Sequence, residues 1–204
     1  MPSTCATPLT RRERKKQDRI RQVRDLALEL FVEKGFNAVT VDEIAEAADI
    51  GRASFFNYFP TKDAVLRSYH FWIYDQMHEF AEQLSGDSGR ELFRQYYRHL
   101  TRMIEREGDR YRMLHGILNV RADLRDEDEG RYQRVFDHYR RFVAQAVKAG
   151  ELPADIDQSL FTEIVRDVWQ GNLSNWVLLR GPRALEQRML KKLAILFSVR
   201  HGAE

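Results

Sequence analysis

The chain has 204 residues, enough for one large domain or two small ones, and its 43% apolar and 11% aromatic residues suffice for a packed core. A single cysteine, Cys5, excludes an internal disulfide, and no stretch approaches the roughly 18 uncharged apolar residues of a membrane span or the apolar core of a signal peptide, so a soluble, cytoplasmic protein is expected. The net charge of +2 announces no polyanion partner, but it is unevenly spread: residues 11–24 carry eight basic side chains (Arg11, Arg12, Arg14, Lys15, Lys16, Arg19, Arg21, Arg24) against two acids.

Residues 1–12 form a leader with two prolines and several small hydroxyl residues, expected to be disordered. A helix begins near Glu13, with an apolar stripe at Ile20, Val23, Ala27, Leu30 and Phe31. Gly35 stops it, and Phe36 can then pack back on Phe31. Thr40 and Glu43 form a Ser/Thr-x-x-Glu capping box, so a second helix starts at Val41 with Ile44, Ala45 and Ala48 inward. Asp49 occupies a turn whose backbone often goes left-handed, and Gly51 opens a third helix over about Arg52–Tyr58.

Two short helices joined by a tight turn are the outline of a helix-turn-helix, expected over 13–61. In the third helix Phe55, Tyr58 and Phe59 should face the core, leaving Arg52, Ala53, Phe56 and Asn57 on the other side. Small and apolar residues there suit a helix that enters a major groove; core packing of Phe56 is the alternative. Pro60 ends this helix and Thr61 caps the next, a connecting helix over 62–85 whose N-terminal amides and Lys62 make a plausible phosphate seat.

Ser85–Gly89 is the clearest loop and the expected domain boundary. Beyond it, in 86–204, helices are expected near 90–107, 109–120, 128–149, 157–180 and 183–200. They are punctuated by Gly108, the polar run Arg121–Asp128, Gly150 with Pro153, and Gly181-Pro182. No useful alternating pattern occurs, so the fold class is all-α, about nine helices. On the last two helices Leu160, Ile164 and Val168, with Leu185, Met189, Leu193 and Leu196, make a broad apolar surface suited to a four-helix dimer interface as well as to core.

No catalytic constellation is found. The six histidines form no zinc-hydrolase motif, no Gly-rich phosphate loop or Gly-x-Ser-x-Gly elbow occurs, and Asp126–Gly130 lacks the ligand register of a calcium loop. The expectation is a non-enzyme without cofactor or metal.

The segment Ile50-Gly51-Arg52-Ala53-Ser54-Phe55-Phe56-Asn57-Tyr58-Phe59-Pro60-Thr61-Lys62-Asp63, with Ala27-x-x-Leu30-Phe31-x-x-x-Gly35-Phe36 and Thr40-Val41-x-x-Ile44-Ala45 upstream, resembles the DNA-binding domain of the tetracycline-repressor (TetR) family. The likeness covers about residues 19–66. It implies a homodimer on a palindromic DNA operator, with the third helix in the major groove, dimerisation through the last two helices (about 157–200), and a small-molecule effector acting on the regulatory domain. The DNA-contact set it implies is Thr40, Val41, Gly51, Arg52, Ala53, Ser54, Phe56, Asn57, Tyr58 and Lys62. The chain departs from the family pattern at Gly51 (usually Ser or Thr), Ala53 (frequently Gly), Phe56 (usually Tyr) and Asn57 (often Arg or His).

The expected function is therefore a transcriptional repressor released by a mostly hydrophobic or aromatic ligand; the alternative is an all-helical interaction module that binds no DNA. Candidate ligand-pocket residues are Tyr69, Trp72, Phe93, Tyr97, Met103, Trp169 and Trp176, each of which also suits plain core packing.

Overall fold

A computed structural model of the chain describes residues 10–121, 129–179 and 185–198. Most of the expected leader with Cys5, most of the Arg121–Asp128 run, the Gly181-Pro182 joint and the final residues lie outside them. Among the described residues there are nine helices and no strand: α1 (Arg11–Lys34), α2 (Val41–Ala47), α3 (Arg52–Tyr58), α4 (Lys62–Gln83), α5 (Gly89–Glu107), α6 (Asp109–Val120), α7 (Glu129–Lys148), α8 (Gln158–Leu178) and α9 (Leu185–Leu196). None is long and apolar enough to cross a membrane. The chain divides into two compact units, Met1–Tyr69 and His70–Glu204, so the division falls inside α4 rather than at either of its ends.

In the first unit α1 starts earlier than expected, because Thr10 and Glu13 form a capping box of their own: the Glu13 amide donates to the Thr10 hydroxyl, and Glu13 accepts from the Thr10 backbone N–H. The buried stripe of α1 is Val23, Arg24, Ala27, Leu28 and Phe31. Leu28 takes the place expected for Leu30, which is only half-buried: at 100° per residue the two lie equally far either side of the line between Ala27 and Phe31, and the buried face turns to the Leu28 side, which also carries the buried Arg24. Gly35 has φ +87°, and Phe36 meets Phe31 edge-on at 4.9 Å, as the sequence predicts.

The Thr40–Glu43 box opens α2 as expected. Its end is a Schellman turn: the Ile50 amide donates to the Ala45 carbonyl at 2.9 Å and the Asp49 amide to Glu46 at 3.0 Å, with Asp49 at φ +50°. Arg19 of α1 donates to the carbonyls of Ala48 and Asp49 at 3.0 and 3.1 Å, so a side chain of α1 satisfies the last carbonyls of α2 and fixes the turn.

In the second unit α5 packs against α7 and α9, and α8 against α7 and α9. Gly89, expected in a loop, is the first residue of α5 and is buried against α7. A methyl there would collide with the Phe142 carbonyl and the Ala146 nitrogen, and would stand 2.6 Å from the Ala146 side chain. A second Schellman turn, with Gly150 at φ +70°, ends α7 and turns Glu151 back onto the start of α5. There its carboxylate accepts from the Arg90 amide at 2.9 Å and from the Ser88 hydroxyl, adding an anion to the positive end of the α5 dipole. Asp157 caps α8 through the amides of Ser159 and Leu160, both at 3.0 Å.

Candidate nucleic-acid interface and ligand cavity

The surface of the helix-turn-helix follows from which aromatic residues hold α3 down. Phe55 and Phe59 are buried, 5.8 Å apart between ring centres, and anchor the helix by one side. Arg52, Ala53, Phe56 and Asn57 consequently face solvent, with Phe56 42% exposed, so Phe56 does not belong to the core; Ser54 and Tyr58 are half-buried at the flanks. Phe56 is thus a large aromatic side chain held at the surface beside Ala53 and Asn57. Gly51 is the N-cap of α3 and supplies no side-chain hydrogen bond, leaving the first amides of the helix uncapped by a side chain.

Three polar side chains of the expected contact set already have partners. Arg52, the single cation of α3, pairs with Asp42 of α2 at 2.5 Å and lies 5.6 Å from the Phe56 ring. The Thr40 hydroxyl is engaged with Glu43 inside the capping box. Lys62 differs most from expectation. Its ammonium donates to the carbonyls of Phe36 and Val39 at 2.6 and 2.8 Å and sits 4.5 Å from the Phe36 ring. It pins the loop between α1 and α2, and at most one of its three N–H bonds is left for a phosphate. The first eight residues of α1, five of them basic, are exposed throughout.

In the second unit, a cavity of about 670 Å³ is bounded by α4 (His70, Phe71, Ile73, Tyr74, Met77), α6 (Tyr111, Leu114, His115, Leu118), α7 (Arg131, Tyr132, Val135, Phe136, Tyr139) and α8 (Arg166, Trp169, Gln170, Leu173), with Ile104 from α5. That volume suits a drug-sized or larger ligand. Among the seven residues expected to line a pocket, only Trp169 does so. Tyr69 is buried in the first unit, with the Arg24 guanidinium 6.0 Å from its ring. Phe93 and Tyr97 are fully buried one layer behind the wall: Phe93 meets Phe142 edge-on at 5.2 Å, and Tyr97 stacks on Trp169 at 5.3 Å. Trp176 packs under Arg112 at 3.9 Å, and Trp72 and Met103 are half-buried elsewhere. Aromatic character alone could not separate wall from core, because both use the same residues.

The chemistry of the wall is asymmetric. No carboxylate lines it among the described residues, whereas two arginines do. Arg131 is held by Asp75 at 2.8 Å and lies 4.5 Å from the Phe71 ring; Arg166 is held by Asp167 at 2.8 Å and lies 5.1 Å from the Phe136 ring. Both acids stand outside the lining and fix the guanidinium planes. Burial pushes the Tyr111 and Tyr139 hydroxyls well above the ordinary phenol range, so they remain protonated donors. The cavity thus offers an apolar and aromatic body with cationic and neutral donor groups and no fixed negative charge.

Comparison with known proteins agrees with both units. Residues 23–69 match the model of the bacterial regulatory proteins of the tetR family. Over 74 residues the chain is 39% identical to the uncharacterized HTH-type transcriptional regulator YuxN of Bacillus subtilis (strain 168), covering 34% of this chain and a quarter (25%) of that protein's length. The fold is that of a TetR-family transcriptional regulator from Syntrophomonas wolfei, with TM-score 0.76, 17% identity, and 93% and 100% of the two chains covered. It is also that of the Thermus thermophilus repressor FadR, solved in complex with lauroyl-CoA, with TM-score 0.56, 26% identity, and 90% and 97% covered. Residues 23–69 are thus similar to the DNA-binding segment of the bacterial tetR-family regulatory proteins, and the described helices take the fold seen in solved TetR-family regulators.

Proposed function

We propose that this protein is a cytoplasmic, homodimeric repressor that binds a palindromic operator through α3 and leaves it when a small amphipathic molecule enters the cavity of the second unit. The observation that carries the reading is the α3 face: Phe55 and Phe59 anchor the helix so that Arg52, Ala53, Phe56 and Asn57 point outward together. Asn57 has the donor–acceptor pair that matches adenine in the major groove, and Phe56 and Ala53 suit thymine methyls and sugars. The exposed basic residues of α1 supply phosphate attraction.

Two further features support the dimer and the ligand. On α8, Leu160 and Ile164 are 53% and 39% exposed, and on α9 Ile195 is 62% exposed, an apolar strip on the two helices expected to pair. The cavity's apolar body and two arginines suit a long apolar chain ending in an anionic group, and the Thermus thermophilus protein of the same fold binds lauroyl-CoA.

Selection of bound fragments from a random duplex library tests the reading. Expected are a palindrome with half-sites about 34–36 Å apart, or a multiple of that spacing, and an affinity that falls steeply with salt. Acyl-CoA thioesters added to the selected duplex should release the protein. Ile164→Asp with Ile195→Asp should yield monomers by sedimentation and weaken operator binding. Recovery of no enriched sequence would leave a helical module without DNA recognition.

A further inference from the structure

Six histidines scattered over the sequence form no metal motif, but folding brings two of them together. His78 on α4 and His138 on α7 face each other with Nδ1 and Nε2 only 2.8 Å apart, and the Glu82 carboxylate lies 3.6 Å from the same His138 Nε2. These donor atoms lie within 4.8 Å of one another. His78 and Glu82 are four residues apart on one helix, so they project from the same face, while His138 is 4% exposed and held in the protein interior.

We propose that His78, Glu82 and His138 are a transition-metal site, with zinc as the best-fitting ion, that ligates α4 to α7. Two imidazoles and one carboxylate are a zinc ligand set, with the fourth tetrahedral position open to water. Imidazole nitrogen selects zinc and its first-row neighbours over magnesium and calcium. The geometry is close to what the ion requires. Two nitrogens each about 2.05 Å from a tetrahedral ion stand about 3.3 Å apart, so the histidines need separate by only about half an ångström, within the reach of small χ rotations.

The proton balance is also simple. One of the facing nitrogens carries the bridging proton, and the metal replaces it; that proton moves to the far nitrogen of its own ring, so neutral histidines release none. A cation, Arg141, stands beside the site, with Nη2 3.5 Å from His138 Nδ1. Its N–H can donate to Nδ1 only while Nδ1 is unprotonated, so a proton on Nδ1 costs this long contact, while the Ala81 and Leu84 carbonyls, at 2.6 and 2.9 Å, keep the guanidinium satisfied. Burial favours the neutral form of His138, the form that binds metals.

The neighbours of these ligands give the site a consequence. Met77 and Tyr139, each one residue from a ligand, line the cavity from α4 and α7. A metal at His78–His138 therefore clamps two of the cavity's walls together.

The test uses the full chain, stripped with a chelator, and titrated with Co²⁺ and then Zn²⁺. Expected is one Co²⁺ per chain with visible absorption of tetrahedral intensity, displaced by Zn²⁺, and affinity at least ~10-fold weaker in His78→Ala and in Glu82→Gln. Glu82 is exposed, so Glu82→Gln leaves the fold intact and isolates ligation from packing. Absence of stoichiometric binding would overturn the proposal, as would equal affinity in the wild type and both variants, which would place the metal on other residues.

Discussion

Arg52 and Asp42 are ion-paired across the helix-turn-helix: the one guanidinium of α3 rests on a carboxylate of α2 at the surface where DNA is proposed to lie. Both groups are more than half exposed, so the pair contributes about 0–1 kcal/mol to the fold. Its effect on a polyanion is larger in kind, because Asp42 places a negative charge beside the phosphates and holds the cation that would meet them. Asp42→Asn should tighten operator binding about 2- to 5-fold at fixed salt, and Arg52→Ala should weaken it, measured by fluorescence anisotropy. An unchanged affinity in Asp42→Asn would place this pair outside the contact surface.

Glu43 gives a pH signature. The Lys34 ammonium, hydrogen-bonded at 2.8 Å, with the Thr40 amide and hydroxyl, holds its carboxyl down at about 2. The folded-state value lies below the unfolded one, so the capping box contributes stability above about pH 4.5, and that contribution is lost as pH falls towards 2. The stability gap between wild type and Glu43→Gln should be constant near neutrality and close over that acid window. A Glu43 carboxyl titrating near 4.5 by NMR would mean that the box is not formed in solution.

Asp49 holds the left-handed position of the α2 turn, where the analogous turn after α7 uses Gly150. A residue with a Cβ is disfavoured there, although Asp is tolerated better than most. Asp49→Gly should raise the stability of the first unit by up to about 1 kcal/mol in chemical denaturation, leaving duplex specificity unchanged. A loss of stability would show that the Asp49 side chain contributes more than its backbone strain costs.

Gly89 has the opposite character. The obstruction to a side chain is α7 backbone, which no rotamer change relieves. Gly89→Ala should destabilise the second unit by about 3 kcal/mol, the upper end of the overpacking range, as read by thermal unfolding. Near-native stability would require α5 and α7 to separate at little cost.

Arg131 and Arg166 should discriminate among ligands of the proposed cavity. A charge-assisted hydrogen bond to an anionic head is worth about 1.5–3 kcal/mol. Arg131→Gln or Arg166→Gln should thus weaken an acyl-CoA thioester by about 10- to 100-fold, while leaving a neutral apolar compound within about 2-fold. Equal losses for both compounds in calorimetry would point to damaged packing instead of a lost charge contact.

The helices and the exposed face of α3 were legible because their signals are local. Thr40 with Glu43, Gly35 before Phe36, and the spacing of Phe55 and Phe59 each act within a few residues. The cavity was not legible, because whether Tyr97 or Tyr139 reaches the opening depends on how α5, α7 and α8 pack, and both residues have the composition of core. The partners of Lys62 were hidden for a related reason. Its position at the start of a helix suggested a phosphate partner, but the carbonyls that hold it belong to a loop 23 and 26 residues away in sequence. The pairing of His78 with His138 leaves no local signal, because 60 residues separate them. Gly89 looks like loop in the sequence because nothing there announces the α7 backbone against it.

The capping box at Thr10 has a consequence for the basic arm. It starts α1 at Arg11, yet the first eight residues of the helix, 11–18, remain exposed. Two turns of helix without tertiary support are marginal in water, and here like charges repel along them. In the free protein these amides should exchange quickly with solvent, and a duplex should slow them by neutralising the repulsion. The arm should then act as a fuse more than a clamp: phosphate would steady a helix that the Thr10 box only starts, and the free energy needed to order it would be subtracted from every duplex alike, specific or not.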